Sequence, residues 1–256
     1  MEIVIYMKPK HGEEEQFNKI ENAFNKHYPK AKWVEREKIN SKMFEKNENN
    51  DIIFVIGGDG TFLKVSHFVK NQLIFGVNLN PEKKEGFFMG SSPKNFEEKL
   101  SLIKQGKYKL EELNRLQGTV DGNKLPKALN EYYIGHKKPY LMSYYIIEIE
   151  GKKEFQKSSG VLISTACGSH SWVHSAGGEK LEKTSKQMQF LVREPYVGTL
   201  NKINLTQGIT TKEIKIISKL DNIIIAVDSL NIEIPLNKDK ELIIKDSDEP
   251  LRTISV

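Results

Sequence analysis

One short segment combines the residue types that phosphoryl transfer requires. The run GGDGT, residues 57–61, follows the apolar residues Ile52 to Ile56 and leads into a helical pattern. Glycines let backbone N–H groups approach a phosphate closely, and a helix start adds unpaired N–H groups and a positive dipole end. Asp59 adds a carboxylate that can serve a metal or accept a proton. The alternative is a tight turn in which Asp59 caps the helix, but the preceding strand favours a functional loop.

A second candidate is the polar pair Asn130-Glu131. Asparagine supplies two donors and an acceptor, whereas ionised glutamate only accepts. Such a pair suits a sugar diol and the edge of a base. It is also plausible as a polar pair at the end of any strand.

The third candidate runs from Ser164 to Trp172 and ends in Ser175-Ala176-Gly177-Gly178. A strand here leads into small, hydroxyl-rich residues and then an aromatic ring. This order predicts a narrow slot with hydrogen-bonding walls and a stacking surface for a flat base.

Two other groups are not interpreted as sites. His170 and His174 have the i, i+4 spacing of a zinc-binding pair, but the sequence places no third ligand, so we expect no bound metal. Cys167 is the single cysteine and is interpreted as a small packing residue. One cysteine allows no intramolecular disulfide, which fits a reducing compartment.

The elements that must position these residues alternate between strand and helix at first. We expect strands at 2–6, 52–56 and 73–77, and helices at 13–28, 61–70 and 93–105. This is a βαβ pattern with a parallel sheet.

The pattern of predicted elements changes after Gly106. Asp121-Gly122 is a hairpin signal. Helical periodicity is scarce from here on, and strands are expected at 140–150, 160–165, 188–192, 213–217, 222–227 and 231–235. We therefore predict a second, mainly β domain.

The composition agrees with a globular protein. Hydrophobic residues make up 38% and charged residues 29% of the 256 residues, and the net charge of +5 mildly favours anionic ligands. No basic block indicates a nucleic-acid partner, and no apolar stretch approaches the ~18 residues of a membrane helix. A leader segment is not recognisable, so we expect a cytoplasmic protein without membrane or nucleic-acid partners.

These segments resemble known proteins. The GGDGT run is similar to the signature of NAD kinases and of the diacylglycerol and sphingosine kinases, and phosphofructokinases have a similar loop. Asn130-Glu131 and the segment from Thr165 to Gly178 resemble the NAD kinases in particular. The stretches KSSG (157–160), GVNLNP (76–81) with the following Glu85-Gly86, REP (193–195) and LRT (251–253) resemble the mitochondrial branch of that family. The resemblance runs from about residue 52 to the C-terminus.

The sequence departs from the common family pattern in three places. Ser159 stands where typical members have an aspartate that contacts the nicotinamide side. Ala166-Cys167 replaces Pro-Thr, and the residues from His170 to Trp172 replace Thr-Ala-Tyr.

The resemblance implies an NAD kinase, which transfers a phosphoryl group from ATP, with Mg²⁺ shared by the phosphates, to the 2′-hydroxyl of the adenosine ribose of NAD. It implies that Asp59 is catalytic and that the phosphate is bound by Gly57, Gly58, Gly60 and Thr61. NAD would lie in a cleft between the domains, against Phe87, Asn130, Glu131, Ser159, Thr165, Ser169, His170, Trp172 and Ser175. No protein metal site is implied.

The resemblance also implies an architecture. Residues 1–105 form a Rossmann-like α/β domain, residues 106–239 form a β-sandwich-like domain, and a return segment at about 240–256 rejoins the first. The family further implies a homo-oligomer.

Two other functions remain open at this point. A lipid kinase would share the GGDGT loop but gives no reason for Asn130-Glu131 or the SAGG segment. A non-catalytic NAD(P)(H)-binding protein is suggested by Ser159, Cys167 and His170, but Asp59 in a complete glycine loop argues against it.

Overall fold

The structure, a computed structural model, describes residues 2–45, 51–198 and 203–256. The chain forms two compact units, one of Met1–Glu112 with Leu251–Val256, and one of Leu113–Pro250. Each unit has a hydrophobic core of its own. Within the described ranges no helix is both long and apolar enough to cross a membrane.

The first unit alternates strands and helices. Its elements are β1 (Ile3–Tyr6), α1 (Glu14–His27), β2 (Lys32–Glu35), β3 (Ile52–Gly57), α2 (Asp59–Ser66), β4 (Leu73–Asn78), β5 (Met89–Ser91), α3 (Phe96–Lys104), β6 (Lys109–Leu113) and a C-terminal strand, Leu251–Ser255. The sheet order is β2-β1-β3-β4, then the C-terminal strand and β6, while β5 pairs with β4. The pairs among β1 to β5, and the pair of β4 with the C-terminal strand, are parallel. The predicted α/β unit with a parallel sheet is confirmed.

The core of this unit explains why these segments form these elements. Helix α1 buries Phe17, Ile20 and Phe24 at the helical spacing read from the sequence. These side chains share one apolar cluster with residues of β3, β4 and α3, including Phe54 and Phe75. The strands β3 and β4 are buried almost throughout, which is typical of parallel strands covered on both faces.

Several helix boundaries of the first unit differ from the prediction; helix α3, for example, begins at Phe96 rather than at residue 93. Helix α2 ends at Ser66 rather than at residue 70. The N–H of Phe68 bonds the carbonyl of Val65, so the chain leaves the helix through a tighter i, i+3 turn.

The second unit is built almost entirely from strands. They are β7 (Leu116–Val120), β8 (Asn123–Lys124), β9 (Glu131–His136), β10 (Ser143–Ile149), β11 (Lys152–Ser158), β12 (Gly160–Ser164), β13 (Met188–Arg193), β14 (Gln207–Thr210), β15 (Ile214–Ser218), β16 (Ile223–Val227), β17 (Ile234–Leu236) and β18 (Glu241–Asp246), with a short helix α4 (Trp172–Ser175). One sheet has the order β11-β10-β15-β18-β7-β8, and the other has the order β14-β13-β12-β9-β16-β17.

The two sheets form a β-sandwich. Alternate residues of both sheets, among them Tyr132 and Ile134 of β9 and Tyr145 and Ile147 of β10, are fully buried in one shared cluster. The mainly β second domain is therefore confirmed. The hairpin predicted at Asp121-Gly122 joins β7 to β8, and both residues have positive φ, 50° and 79°, as a type I′ turn requires.

Some strand predictions miss the structure. The expected strand at 231–235 is displaced to Ile234–Leu236, and the one at 140–150 begins only at Ser143. Strand β11 was not predicted because its exposed lysines hide its period-2 pattern. Its signal is Glu150-Gly151, whose φ angles of 51° and 77° make a two-residue hairpin turn to β10.

Candidate active site

The glycine loop lies at the junction predicted from the sequence. Strand β3 ends at Gly57, and Gly58 precedes the first residue of α2, Asp59. The N–H groups of Thr61 and Phe62 bond the carbonyl of Gly58, which starts the helix. The N–H groups of Asp59 and Gly60, which precede Thr61, have no acceptor within the helix and can bind an anion.

The glycines of this loop serve close approach rather than unusual backbone angles. None of Gly57, Gly58 and Gly60 has a positive φ. A Cβ on Gly57 would lie 2.7 Å from Thr61 Oγ1, and one on Gly58 would lie 3.1 Å from Lys84 Cδ. A Cβ on Gly60 would meet no atom within 4 Å, so this side of the loop is open to a ligand.

Asp59 does not cap the helix; its carboxylate anchors a neighbouring loop. Oδ2 accepts the N–H groups of Gly86 at 3.0 Å and Phe87 at 3.1 Å, and Oδ1 accepts that of Phe88 at 2.9 Å. The half-buried Phe87 is thereby tied to the glycine loop. An ionised carboxylate has about four lone-pair directions, so three N–H groups leave room for one further donor such as a hydroxyl.

Further contacts hold the loop from residue 80 to 88. Asn78, at the end of β4, donates through Nδ2 to the carbonyl of Lys84 at 2.9 Å and accepts the N–H of Asn80 at 3.1 Å. Lys84 Nζ bonds the buried Glu13 Oε1 at 3.1 Å. Gly86 has a φ of +71°, and a Cβ there would lie 2.5 Å from Asn78 Nδ2, so glycine is required at this position.

In the second unit, Asn130 and Glu131 lie at the start of β9 and are both buried. Asn130 Oδ1 and Glu131 Oε2 have no donor within hydrogen-bond distance among the described residues. Burial, and after it the charge of Asp228, raise the pKa of Glu131 to about 8. The pair therefore offers buried acceptor atoms to a ligand that can donate to them.

Thr165 and Ser169 are brought against this pair, but their hydroxyls are used within the protein. Thr165 Oγ1 donates to the carbonyl of Leu129 at 2.6 Å, and its N–H donates to that of Asn130 at 2.8 Å. Ser169 Oγ donates to the carbonyl of Ala166 and accepts the N–H of Leu181. Both side chains are buried, so they build the slot rather than present free hydroxyls.

The side chains of His170 and Cys167 also contact backbone carbonyl groups of the protein. His170 Nε2 lies 2.8 Å from the carbonyl oxygen of Leu181. Cys167 Sγ lies 3.5 Å from the carbonyl oxygen of Lys183, and burial raises the pKa of this thiol to about 12. A thiol with this pKa stays protonated near neutral pH, which fits a packing residue.

Trp172 and Tyr133 form a separate aromatic group, and Arg193 packs against the ring of Trp172. Its ring is 37% exposed, lies 5.2 Å from the ring of Tyr133, and has the guanidinium of Arg193 5.2 Å from its centroid. Arg193 also pairs with Glu194 at 3.3 Å. This group offers an exposed flat surface on which a base can stack.

Ser159 adjoins the aromatic group through its backbone. Its carbonyl accepts the hydroxyl of Tyr133 at 2.8 Å, and its N–H donates to the carbonyl of Arg193. Ser175 is exposed and donates through Oγ to the carbonyl of Ser171. The nucleotide-side candidates thus fall into two groups, one around Asn130 and one around Trp172.

Two supporting residues were missed by the sequence reasoning. Asn78 lies within the segment 76–81 that carried the resemblance, and its place at a strand end was the available signal. Asp228 bonds the backbone around Asn130 from a position 98 residues away in the chain, and no local pattern marks it.

Comparison with known families gives the decisive match. The model of the ATP-NAD kinase N-terminal domain matches residues 2–108, and that of the ATP-NAD kinase C-terminal domain matches residues 129–256.

The chain belongs to the NAD kinase family. A relative, the NAD kinase of Clostridium tetani, is 31% identical over 209 residues, which are 79% of this chain and 74% of that protein. A probable NADH kinase of Oryza sativa subsp. japonica is 28% identical over 168 residues, or 57% of this chain, and the match spans about half of the rice protein, 52%.

A solved structure shares the NAD kinase fold. The NAD kinase of Archaeoglobus fulgidus, crystallised in complex with ATP, superposes with a TM-score of 0.77 at 22% identity. The match covers 99% of this chain and 93% of that one. This likeness concerns the fold, and it includes the α/β unit and the β-sandwich described above.

Proposed function

We propose that this protein transfers the γ-phosphoryl group of ATP to the 2′-hydroxyl of the adenosine ribose of NAD. The observation that carries the proposal is Asp59, a carboxylate with acceptor capacity left, in a glycine loop at a strand–helix junction of an NAD kinase chain. A protein that only binds a dinucleotide has no need of both the loop and the carboxylate.

The reaction breaks the bond in ATP between the γ-phosphorus and the β–γ bridging oxygen, which leaves with ADP. It forms a bond between the γ-phosphorus and the ribose 2′-oxygen, whose proton is released. The N–H groups at the start of α2 that precede Thr61, those of Gly58 and Gly60 among them, bind the phosphate. Asp59 accepts the hydroxyl proton or orients the hydroxyl for attack. Because the transition state of phosphoryl transfer is loose, orientation can supply much of the benefit.

The acceptor is proposed to contact the second unit. The side-chain oxygens of Asn130 and Glu131 receive donors from the adenosine, and Trp172 stacks with a base. Thr165 holds the backbone of Leu129 and Asn130, while Ser169 and His170 hold the loop that follows Thr165 through bonds to Ala166 and Leu181.

Mg²⁺ is proposed to arrive with ATP as part of the substrate. Three N–H groups already bond the carboxylate of Asp59, and the acceptor direction that is left is assigned to the ribose hydroxyl, so we propose no metal ligand on the protein. A divalent ion bound to the β- and γ-phosphates neutralises charge there without a protein cage.

The proposal is tested with purified protein, Mg·ATP and NAD, with NADP measured by an NADP-specific dehydrogenase. We expect NADP formation, and stabilisation of the protein against heat by NAD or NADP, since a ligand that binds only the folded state raises its stability. NADH and diacylglycerol are tested in parallel as acceptors. Phosphorylation of diacylglycerol, with no rise in melting temperature from any dinucleotide, would contradict the proposal and favour a lipid kinase.

Replacing Trp172 with alanine is expected to weaken NAD binding by ~1–3 kcal/mol, the range for a lost base–aromatic stack. Isothermal titration measures the change. Phe155→Ala is the matched control, because Phe155 is also an exposed aromatic of the second unit, 44% exposed. Equal affinities of Trp172→Ala and wild-type protein would show that the Trp172 ring does not contact the base.

A homo-oligomer is proposed from the family resemblance. Size-exclusion chromatography coupled to light scattering measures the mass of the protein in solution. A mass of one chain, 29.4 kDa, at working concentration would contradict this proposal.

A further inference from the structure

Asp228 closes a set of backbone hydrogen bonds around the Asn130-Glu131 pair. It follows β16 directly and has a positive φ of 48°. Oδ1 accepts the N–H groups of Asn130 at 2.8 Å and Glu131 at 2.9 Å, and Oδ2 accepts that of Leu129 at 2.9 Å. The N–H of Asp228 in turn donates to the carbonyl of Glu131 at 2.9 Å. Four hydrogen bonds therefore join one side chain and its backbone to three successive residues.

These bonds fix where the two site side chains can be. A carboxylate that accepts three consecutive N–H groups holds the backbone of residues 129–131 in one conformation. Asn130 and Glu131 are both buried, and each keeps one acceptor oxygen without a donor among the described residues. A buried acceptor without a donor costs free energy, and a hydroxyl or amino group of a ligand recovers it.

The charge of Asp228 also acts on Glu131. Glu131 lies on β9, which pairs with β12 and β16. Burial is the larger cause of the raised pKa of Glu131, and the charge of Asp228 is the second cause. With a pKa of about 8 the carboxyl is mostly protonated at neutral pH. Ligand groups that donate to Glu131 favour its ionised form, so binding releases a proton below this pKa.

We propose that Asp228 is a positioning residue for the acceptor nucleotide: it holds residues 129–131 so that Asn130 Oδ1 and Glu131 Oε2 meet the donors of the nucleotide. The inference rests on the proposed function, because it takes the nucleotide of that reaction as the ligand. Asp228 itself acts through the backbone and the charge of its neighbours, not by contact with the reacting atoms.

The test is Asp228→Asn, with NAD affinity measured by isothermal titration between about pH 6 and pH 9.5. Asparagine tolerates positive φ as aspartate does, so the backbone cost is small. Its NH₂ group, however, faces at least one backbone N–H that the carboxylate accepted. The matched control is Asp239→Asn, since Asp239 also has a positive φ, 61°, but makes an exposed ion pair with Lys219.

The wild-type affinity for NAD is expected to rise with pH, by about tenfold per unit well below the pKa of Glu131, and to level off above about pH 8. In Asp228→Asn the plateau affinity falls at least tenfold and the inflection moves to lower pH, because the neighbouring negative charge is gone. KM for NAD rises more than kcat falls. Asp239→Asn is expected to match the wild type. A purely structural role for Asp228 would change the affinity but leave the inflection in place, and would overturn the charge part of the proposal.

A measurement without NAD uses the wild-type protein alone. Hydrogen exchange by NMR is expected to show protected amides at Leu129, Asn130 and Glu131, and this readout stands even if Asp228→Asn does not fold. Rapid exchange at these three amides overturns the proposal. A wild-type protein that binds no NAD contradicts the proposed function, and the inference falls with it. Normal NAD binding by the wild type, with unchanged affinity and pH profile in Asp228→Asn, overturns the inference alone.

Discussion

Asp59→Asn is expected to lower kcat by ~10²–10⁴-fold, the range for losing a general base, while NAD still binds. The ribose hydroxyl needs an acceptor for its proton, and asparagine cannot take it up. Because this interaction belongs mainly to the transition state, kcat falls more than KM rises. Steady-state kinetics with the melting temperature measured in parallel gives both quantities.

The three N–H groups bound by Asp59 require a control for loop position. In Asp59→Asn, the side-chain NH₂ faces at least one backbone N–H of residues 86–88, and because both groups are donors the loop is disturbed. Asn78→Ala disturbs the same loop by removing the bond to the carbonyl of Lys84, but it leaves Asp59 intact. We expect Asn78→Ala to lose at most about tenfold in kcat. Equal losses in the two variants would assign Asp59 to loop positioning, and a near-normal kcat in a folded Asp59→Asn would remove it from the mechanism.

Gly168→Ala is expected to destabilise the second unit and to abolish tight NAD binding. A Cβ at this position would lie 2.0 Å from the carbonyl oxygen of Asn130 and 2.5 Å from its carbonyl carbon. These are backbone atoms that no rotamer change can move away. The residue must therefore push apart the segments that carry Thr165 and Asn130. Overpacking of this kind costs about 1–3 kcal/mol, and about 2–4 °C in melting temperature per kcal/mol in a chain of this size.

The control for Gly168→Ala is Gly198→Ala. The nearest atoms to a Cβ at Gly198 belong to the exposed ring of Tyr196, which can rotate away. Thermal unfolding and NAD titration of both variants separate a general alanine effect from the contact with Asn130. Wild-type stability and affinity in Gly168→Ala would contradict the packing described for this loop.

The local parts of the first unit could be predicted from the sequence. The continuous apolar run of β3 indicated a buried parallel strand, and the glycines after it indicated a loop before a helix. The face of α1 with Phe17, Ile20 and Phe24 followed from the helical period. These features depend on neighbours within a few positions, so a single sequence contains them.

Contacts between distant segments could not be predicted. The partners of Asp59 lie 27 to 29 residues further along the chain, and nothing in the residue types selects those N–H groups. Capping was the natural local alternative for Asp59, and the structure replaces it with the anchor to residues 86–88. Asp228 escaped notice for the same reason, because its role depends on β16 pairing with β9.

The partners of the hydroxyl groups in the second unit could not be predicted either. Thr165 and Ser169 were expected in the hydrogen-bonding wall of a narrow slot, because small, hydroxyl-rich residues follow a strand there. In the structure, Thr165 Oγ1 donates to the carbonyl of Leu129 and accepts the N–H of Gly168, and Ser169 Oγ donates to the carbonyl of Ala166. Short polar side chains compete well for nearby backbone partners, and sequence alone does not say which partner they take.

The central claim is tested most directly by identifying the product. Purified protein is incubated with Mg·ATP and NAD, and the dinucleotide product is isolated and examined by ³¹P NMR with proton coupling to the ribose. We predict a new phosphomonoester coupled to the 2′ proton of the adenosine ribose, formed together with one ADP per NAD consumed. Release of ADP and inorganic phosphate without a new phosphomonoester, or a phosphate on another hydroxyl, would contradict the assignment.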